Sequence, residues 1–227
     1  QSRWGFYTSG GIRDPETSKL DFADEESLTS TQETEDEIEE NKTEEVSAQS
    51  ENDENIKRAY LTFDDGPDIR YTPLLLDGLK ERNVRVSFFL LGEKVEQYPE
   101  LVERMQKEGH LVGNHTYHHV QLNKLNETKA REEILKTNNL IYETTGVYPL
   151  YLRPPFGAWK KNLELCVEML PVFWTIDTLD WKVQNTEKIV RTVQEQIEDG
   201  AIILMHDEYK TTVEAALRLA DSLKEKG

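Results

Sequence analysis

From Ala59 onward the chain alternates short apolar runs with stretches of helical spacing, and this alternation constrains its fold more than any other feature. AYLTF (59–63) is a β-type run, TPLLLDGLKER (72–82) has helical spacing, and VRVSFFLL (84–91) is again strand-like. EKVEQYPELVERMQKEG (93–109) predicts one longer amphipathic helix, HLVGN (110–114) a short apolar run, and 127–146 a helix stopped by Gly146. LYL (150–152), a helix around 160–170, PVFWTI (171–176), a helix around 186–200, AIILM (201–205) and a last helix over 211–227 complete the pattern. Strands alternating with helices imply βαβ units and a largely parallel sheet. Near-continuous apolar strands are what helices on the sheet faces require. Six such runs occupy residues 58–227, whereas a full eightfold barrel takes about 250 residues. The expected fold is therefore α/β, an irregular, shortened (β/α) barrel with parallel strands, with an open doubly wound sheet as the alternative.

Charge divides the chain at the same point. Residues 1–57 carry 17 Asp and Glu against five Lys and Arg, a net of −12 of the total −17. SLTSTQETEDEIEENKTEEVSAQSENDENI (27–56) has few apolar residues and no period of 2 or 3.6. Such a stretch cannot bury enough apolar surface to offset its ordering entropy, so 1–57 is expected to be a disordered acidic linker or stalk and 58–227 the folded domain. The acidic balance excludes nucleic acid as an expected partner, because phosphate binding needs clustered Lys and Arg. No apolar run reaches the roughly 20 residues of a membrane span, so the folded domain is not expected to be membrane-embedded. A polar stalk before a compact domain suits an extracellular or cell-surface monomer tethered by a segment upstream of Gln1. The lone cysteine, Cys166, lies in LELCVEML and is expected to be a small buried hydrophobe.

Five of the apolar runs end directly in ionisable residues. LTF leads into Asp64 and Asp65, HLVGN into His115, LYL into Arg153, FWTI into Asp177, and AIILM into His206. In parallel α/β proteins the carboxyl ends of the strands share one face, where active sites lie. His115 and His119, four apart, can face one point across a turn, and Asp65 is the natural third ligand of a catalytic metal centre with open positions. His118 is expected to point away, and His110, at a strand start, to be structural. Asp64, adjacent to a ligand, would stay free as a base towards a metal-acidified water, with Arg153 keeping it ionised and aimed. His206 and Asp177 would form a second pair, the carboxylate orienting the imidazole and favouring its protonated form.

Together these residues resemble the polysaccharide deacetylase family, carbohydrate esterase family 4. The resemblance rests on TFDDGP (62–67), HTYHH (115–119), RPPFG (153–157), DTLDW (177–181) and LMH (204–206), in order, and spans 58–227. It implies an irregular (β/α) barrel that removes N-acetyl groups from N-acetylglucosamine-containing polysaccharide, with cell-wall peptidoglycan favoured. Chitooligosaccharide or other poly-N-acetylglucosamine deacetylation, and O-acetyl xylan esterase activity, are the alternatives. It further implies one divalent ion, zinc first with Co2+, Mn2+, Ni2+ or Fe2+ as substitutes, on Asp65, His115 and His119. Asp64 would be the base with Arg153 its partner, and His206 the acid held by Asp177. The Phe156 N–H would stabilise the oxyanion, and Trp181 and Leu204 would line the acetyl pocket. Phe156 departs from the Tyr common in the family. Two rivals are an iron oxygenase, which 2-His-1-carboxylate ligation also serves, and an inactive sugar-binding domain. The alternation of strands and helices argues against the first, and the presence of both Asp64 and His206 against the second.

Overall fold

The computed structural model describes residues 3–5, 56–159 and 167–225. Its strands are β1 (Arg3–Gly5), β2 (Ile56–Asp64), β3 (Ser87–Leu90), β4 (Leu111–Asn114), β5 (Tyr151–Leu152), β6 (Leu170–Pro171), β7 (Ile176–Asp177) and β8 (Ala201–His206). Strands β2 to β8 pair in parallel in the spatial order β6-β5-β4-β3-β2-β8-β7, and β1 pairs with β2 off that path. The result is a curled (β/α) sheet whose two ends, β6 and β7, come from neighbouring stretches of chain.

Side-chain alternation along β2 divides its two faces. Ala59, Leu61 and Phe63 are buried in the apolar core, with Phe63 stacked on Phe88 at 5.4 Å. Thr62 and Asp64 take the opposite face and meet the guanidinium of Arg153. Helices α1 (Thr72–Glu81) and α7 (Lys210–Glu225) seal the apolar side with Leu75, Leu76, Leu79, Ala216, Leu219 and Leu223. Burying each large aliphatic side chain of this set contributes about 1.5–3 kcal/mol. Gly78 leaves room for Leu217 of α7, since a Cβ there would fall 2.5 Å from one of its methyls. Among the described residues the remaining α-helices are α2 (Gly92–Gln97), α3 (Pro99–Lys107), α4 (Glu127–Thr145), α5 (Asp180–Val183) and α6 (Thr186–Gln196).

Three expectations need correction or limit. The helix expected over 93–109 is two helices, because Pro99 forces Tyr98 out of the helical region, to φ −134° and ψ 55°. PVFWTI is not one strand: Pro171 ends β6, residues 172–175 cross the open seam, and β7 begins at Ile176 on the other edge. Among the described residues the parallel strands therefore number seven, not six. Residues 160–166, including Cys166 and most of the helix expected there, lie outside the described residues, as does nearly all of the acidic segment.

Strand register places the site. Asp64 is the Cα partner of Phe89 on one side and His206 on the other, and Asn114 is the partner of Leu152. The carboxyl ends of β5, β4, β3, β2 and β8 thus lie side by side in that order, with Arg153, His115, Asp65 and His206 at or just beyond those of β5, β4, β2 and β8.

Candidate active site

Asp65, His115 and His119 each present one ligand atom within 4.8 Å of the others. His115 Nε2 lies 3.3 Å and His119 Nε2 3.4 Å from Asp65 Oδ1. His115 Nδ1 stands 2.7 Å from the Arg153 carbonyl oxygen, which can only accept, so Nδ1 carries a proton and Nε2 is the atom turned to Asp65. Asp65 Oδ1 is buried and without a hydrogen-bond partner. Lone pairs facing one another across little more than 3 Å are what a shared cation or proton relieves, so these residues fit a divalent ion. Burial pushes the Asp65 carboxyl up, but His115, His119 and His206 outweigh it and hold the group at about 2. Burial is also the main reason His119 titrates below its ordinary range, which keeps its ring neutral and able to ligate.

The ligand loop is held under backbone strain. Asp65, Thr116 and His119 have φ of 69°, 68° and 56°, a region side-chain-bearing residues enter at a cost. Two anchors hold the loop between the histidines. Asn114 Oδ1 accepts from Thr116 N at 2.7 Å, while its Nδ2 donates to Ile134 O and Asn138 Oδ1 on α4. Glu133, also on α4, accepts from Tyr117 N at 3.1 Å and His118 N at 2.9 Å, and its other oxygen meets His118 Nδ1 at 2.7 Å. His118 accordingly points away from the ligand cluster. His110 is buried, with its Nδ1 accepting from Val86 N.

Arg153 is wholly buried and donates from Nη1 to Asp64 Oδ1 at 2.8 Å and to Thr62 Oγ1 at 2.7 Å. Its guanidinium lies 4.1 Å above the Phe89 ring. Burial lowers its pKa against the opposing pull of Asp64, and the guanidinium remains charged in the neutral range. The second oxygen of Asp64 is 3.8 Å from His115 Nε2, facing the ligand cluster.

His206 faces the cluster from β8, its Nε2 3.9 Å from Asp65 Oδ2. Its Nδ1 meets Asp180 Oδ1 at 2.8 Å, and Asp180 Oδ2 accepts from His206 N at 2.7 Å and Thr212 Oγ1 at 2.8 Å. This corrects the expected pair: Asp180, not Asp177, orients His206. Asp177 instead caps the following turn, its Oδ1 accepting from Leu179 N. Leu179, at φ 50°, reverses the chain so that the next carboxylate, at the start of α5, swings under the imidazole. Burial works against the imidazolium, but Asp180, with Asp65 and Asp64 behind it, raises His206 to about 9.

Phe156 adopts φ 60° in the Pro155–Gly157 turn and packs its exposed ring against His119, centroids 4.5 Å apart. Trp181 is half exposed on α5, and Leu204 is buried on β8. Asp180, Glu133 and Asn114 were not among the site residues expected from sequence. Asp180 carried a visible signal in the second acid of DTLDW, whereas Glu133 is one of many acids on an exposed-looking helix.

Over residues 51–172 the chain matches the family described as polysaccharide deacetylase. It belongs to that family. A peptidoglycan-N-acetylglucosamine deacetylase of Bacillus cereus is 41% identical over 180 residues, covering 76% of this chain and 66% of the relative. The peptidoglycan-N-acetylmuramic acid deacetylase PdaC of Bacillus subtilis is 39% identical over 175 residues, covering 77% of this chain and 38% of the relative. The solved structure of peptidoglycan deacetylase PdaC superposes with a TM-score of 0.73, covering 75% of this chain and 85% of that one. A CE4 family pseudoenzyme from Bacillus anthracis, 30% identical, superposes at 0.71 over 75% of this chain and 62% of its own. The chain thus spans less than two thirds of the length of the curated relatives above. For this deacetylase-family chain, the site combines an Asp–His–His cluster that could hold a metal ion, a carboxylate held by Arg153 and an imidazole held by Asp180.

Proposed function

We propose that this chain is a metal-dependent hydrolase that removes the N-acetyl group from N-acetylglucosamine-containing polysaccharide, acting outside the cell on wall peptidoglycan. The observation that carries this reading is the flanking of one Asp65–His115–His119 cluster by two groups poised in opposite senses. Asp64 accepts a hydrogen bond from buried Arg153, and Asp180 beneath His206 holds its imidazole well above the ordinary range, at about 9. Opposed acid and base beside one metal centre suit amide hydrolysis, where water must lose a proton and the departing nitrogen must gain one.

Asp65, His115 and His119 would hold the ion, zinc in this reading. When bound, it supplies an acidified water and a positive charge beside the acetyl carbonyl oxygen. Asp64 accepts a proton from the attacking water as its oxygen bonds to the acetyl carbon. The Phe156 N–H faces the oxygen that gains charge, and Trp181 and Leu204 bound the space for the acetyl methyl group. As the C–N bond breaks, imidazolium His206 gives its proton to the sugar nitrogen, releasing a free amine and acetic acid, which then ionises to acetate in solution. Proton gain at Asp64 matches proton loss at His206, so the pair resets by exchanging one proton with solvent.

The relatives named as peptidoglycan deacetylases support peptidoglycan over chitin or xylan, and a wall substrate supports an extracellular location. Tethering by a segment upstream of Gln1 and a monomeric state belong to the same proposal. Acetate release should be measured on peptidoglycan, on chitooligosaccharide and on acetylated xylan, with and without chelator. The expected result is chelator-sensitive release of acetate and free glucosamine amine from peptidoglycan. Deacetylation of muramic acid alone would move the reading to the other sugar. Glycan binding without acetate release would make the chain a binding domain.

A further inference from the structure

A second acid lies one residue beyond His206 and belongs to none of the roles above. Asp207 is wholly buried. Its Oδ2 is hydrogen-bonded to Thr72 Oγ1 at the start of α1, and its Oδ1 has no hydrogen-bond partner. Thr72 Oγ1 in turn accepts from Asp68 N at 2.8 Å, inside the turn joining β2 to α1. The same carboxyl lies against Gly66, the residue after Asp64 and Asp65, where a Cβ would fall 2.5 Å from Asp207 Oδ1. One carboxyl therefore touches both ends of the 66–72 turn from the strand that carries His206.

We propose that Asp207 is a positioning residue that pins the Gly66–Thr72 turn to the end of β8, fixing Asp64 and Asp65 relative to His206. The need is plain from the geometry. Asp65 sits at φ 69° and Gly66 leads directly out of it, so the ligand's strained backbone is held from one side by β2 and from the other by this turn. Tolerances at reacting groups are below about 1 Å, and a loosened turn would displace base and ligand together.

Burial favours the neutral form of the pin. An ionised carboxylate with one hydrogen-bonded oxygen and no adjoining cation would be costly in so dry a place. Lys94, whose charge acts on Asp207 from a distance, is engaged by Glu208. Burial accordingly raises Asp207 to about 7, with Glu208 adding to the rise. A neutral amide of the same shape should therefore replace it, which a role resting on charge would not allow.

This inference rests on the deacetylase reading for its activity arm, but its metal arm stands apart. Zn2+ affinity and stoichiometry should be measured by titration on wild-type, D207N, D207A and T72V proteins, with kcat and KM for acetate release alongside. D207N should stay within about threefold of wild type in every quantity. D207A should lose roughly 10–100-fold in Zn2+ affinity, as loss of support behind a ligand does, and kcat should fall far more than KM rises. T72V, isosteric with threonine, should reproduce the loss in metal affinity if D207A fails to fold. The proposal is overturned by a D207N protein as impaired as D207A, or by D207A and T72V proteins with wild-type Zn2+ affinity. A wild-type protein that binds Zn2+ but releases no acetate would instead sink the deacetylase reading, leaving the metal comparison to decide Asp207.

Discussion

Replacing Asp180 by Asn tests the acid half of the site most directly. In the metal-free protein the His206 imidazole is raised from 6.5 to about 9, against a desolvation cost that alone would lower it. That rise corresponds to roughly 3 kcal/mol in favour of the imidazolium, most of it from the contact with Asp180. Asn keeps the shape and can still accept from His206 N or Thr212 Oγ1, but it removes the charge facing Nδ1. His206 should then fall to or below its ordinary value, since burial remains. NMR titration of the metal-free protein reads this shift. The linkage has a definite sign: a folded pKa above the unfolded one stabilises fully below about pH 6.5 and is lost as pH rises through about 9. The stability gap between wild type and D180N should therefore be widest near pH 6 and narrow towards pH 9.5. With metal bound, the charge of Asp65 is neutralised, so the alkaline limb of kcat/KM in wild type should lie below 9 and move further towards acid in D180N. At pH 7.5, kcat should fall by roughly 10²–10⁴-fold. A D180N protein with an unmoved limb and an unmoved His206 titration, or a D177N protein showing the shift instead, would refute the assignment.

Asp64→Asn should cut kcat by roughly 10²–10⁴-fold while a chelator-sensitive metal ion still binds at one per chain, checked by elemental analysis and acetate release together. His119→Ala should lose tight metal binding and activity together, because two ligands cannot hold the ion as three do; full metal content at wild-type rate would remove His119 from the set. Glu133→Ala should weaken metal binding by roughly 10–100-fold with no change in the ligands, since it frees the loop between the two histidines. Phe63→Ala should cost about 3–5 kcal/mol in denaturant unfolding, as the ring is fully buried beside Phe88.

The sequence by itself determined the class of fold and the cast of the site. Apolar runs of strand length, each followed by helical spacing, leave a chain little choice but parallel strands under helices, and the residue after such a run must emerge on the common carboxyl face. That is why Asp64, Asp65, His115, Arg153 and His206 were legible as neighbours. Tertiary structure decided what local pattern does not encode. Which acid of DTLDW reaches His206 depends on the turn at Leu179, the pairing of β7 with β8, and the hydroxyl of Thr212 on a distant helix. The split of LPVFWTID into two edge strands on opposite sides of the seam depends on how far the sheet curls before it runs out of partners. Glu133 and Asp207 gain their places only because α4 and β8 pack where they do. A side chain's direction follows from its own backbone, but its partner follows from every other element that arrives beside it.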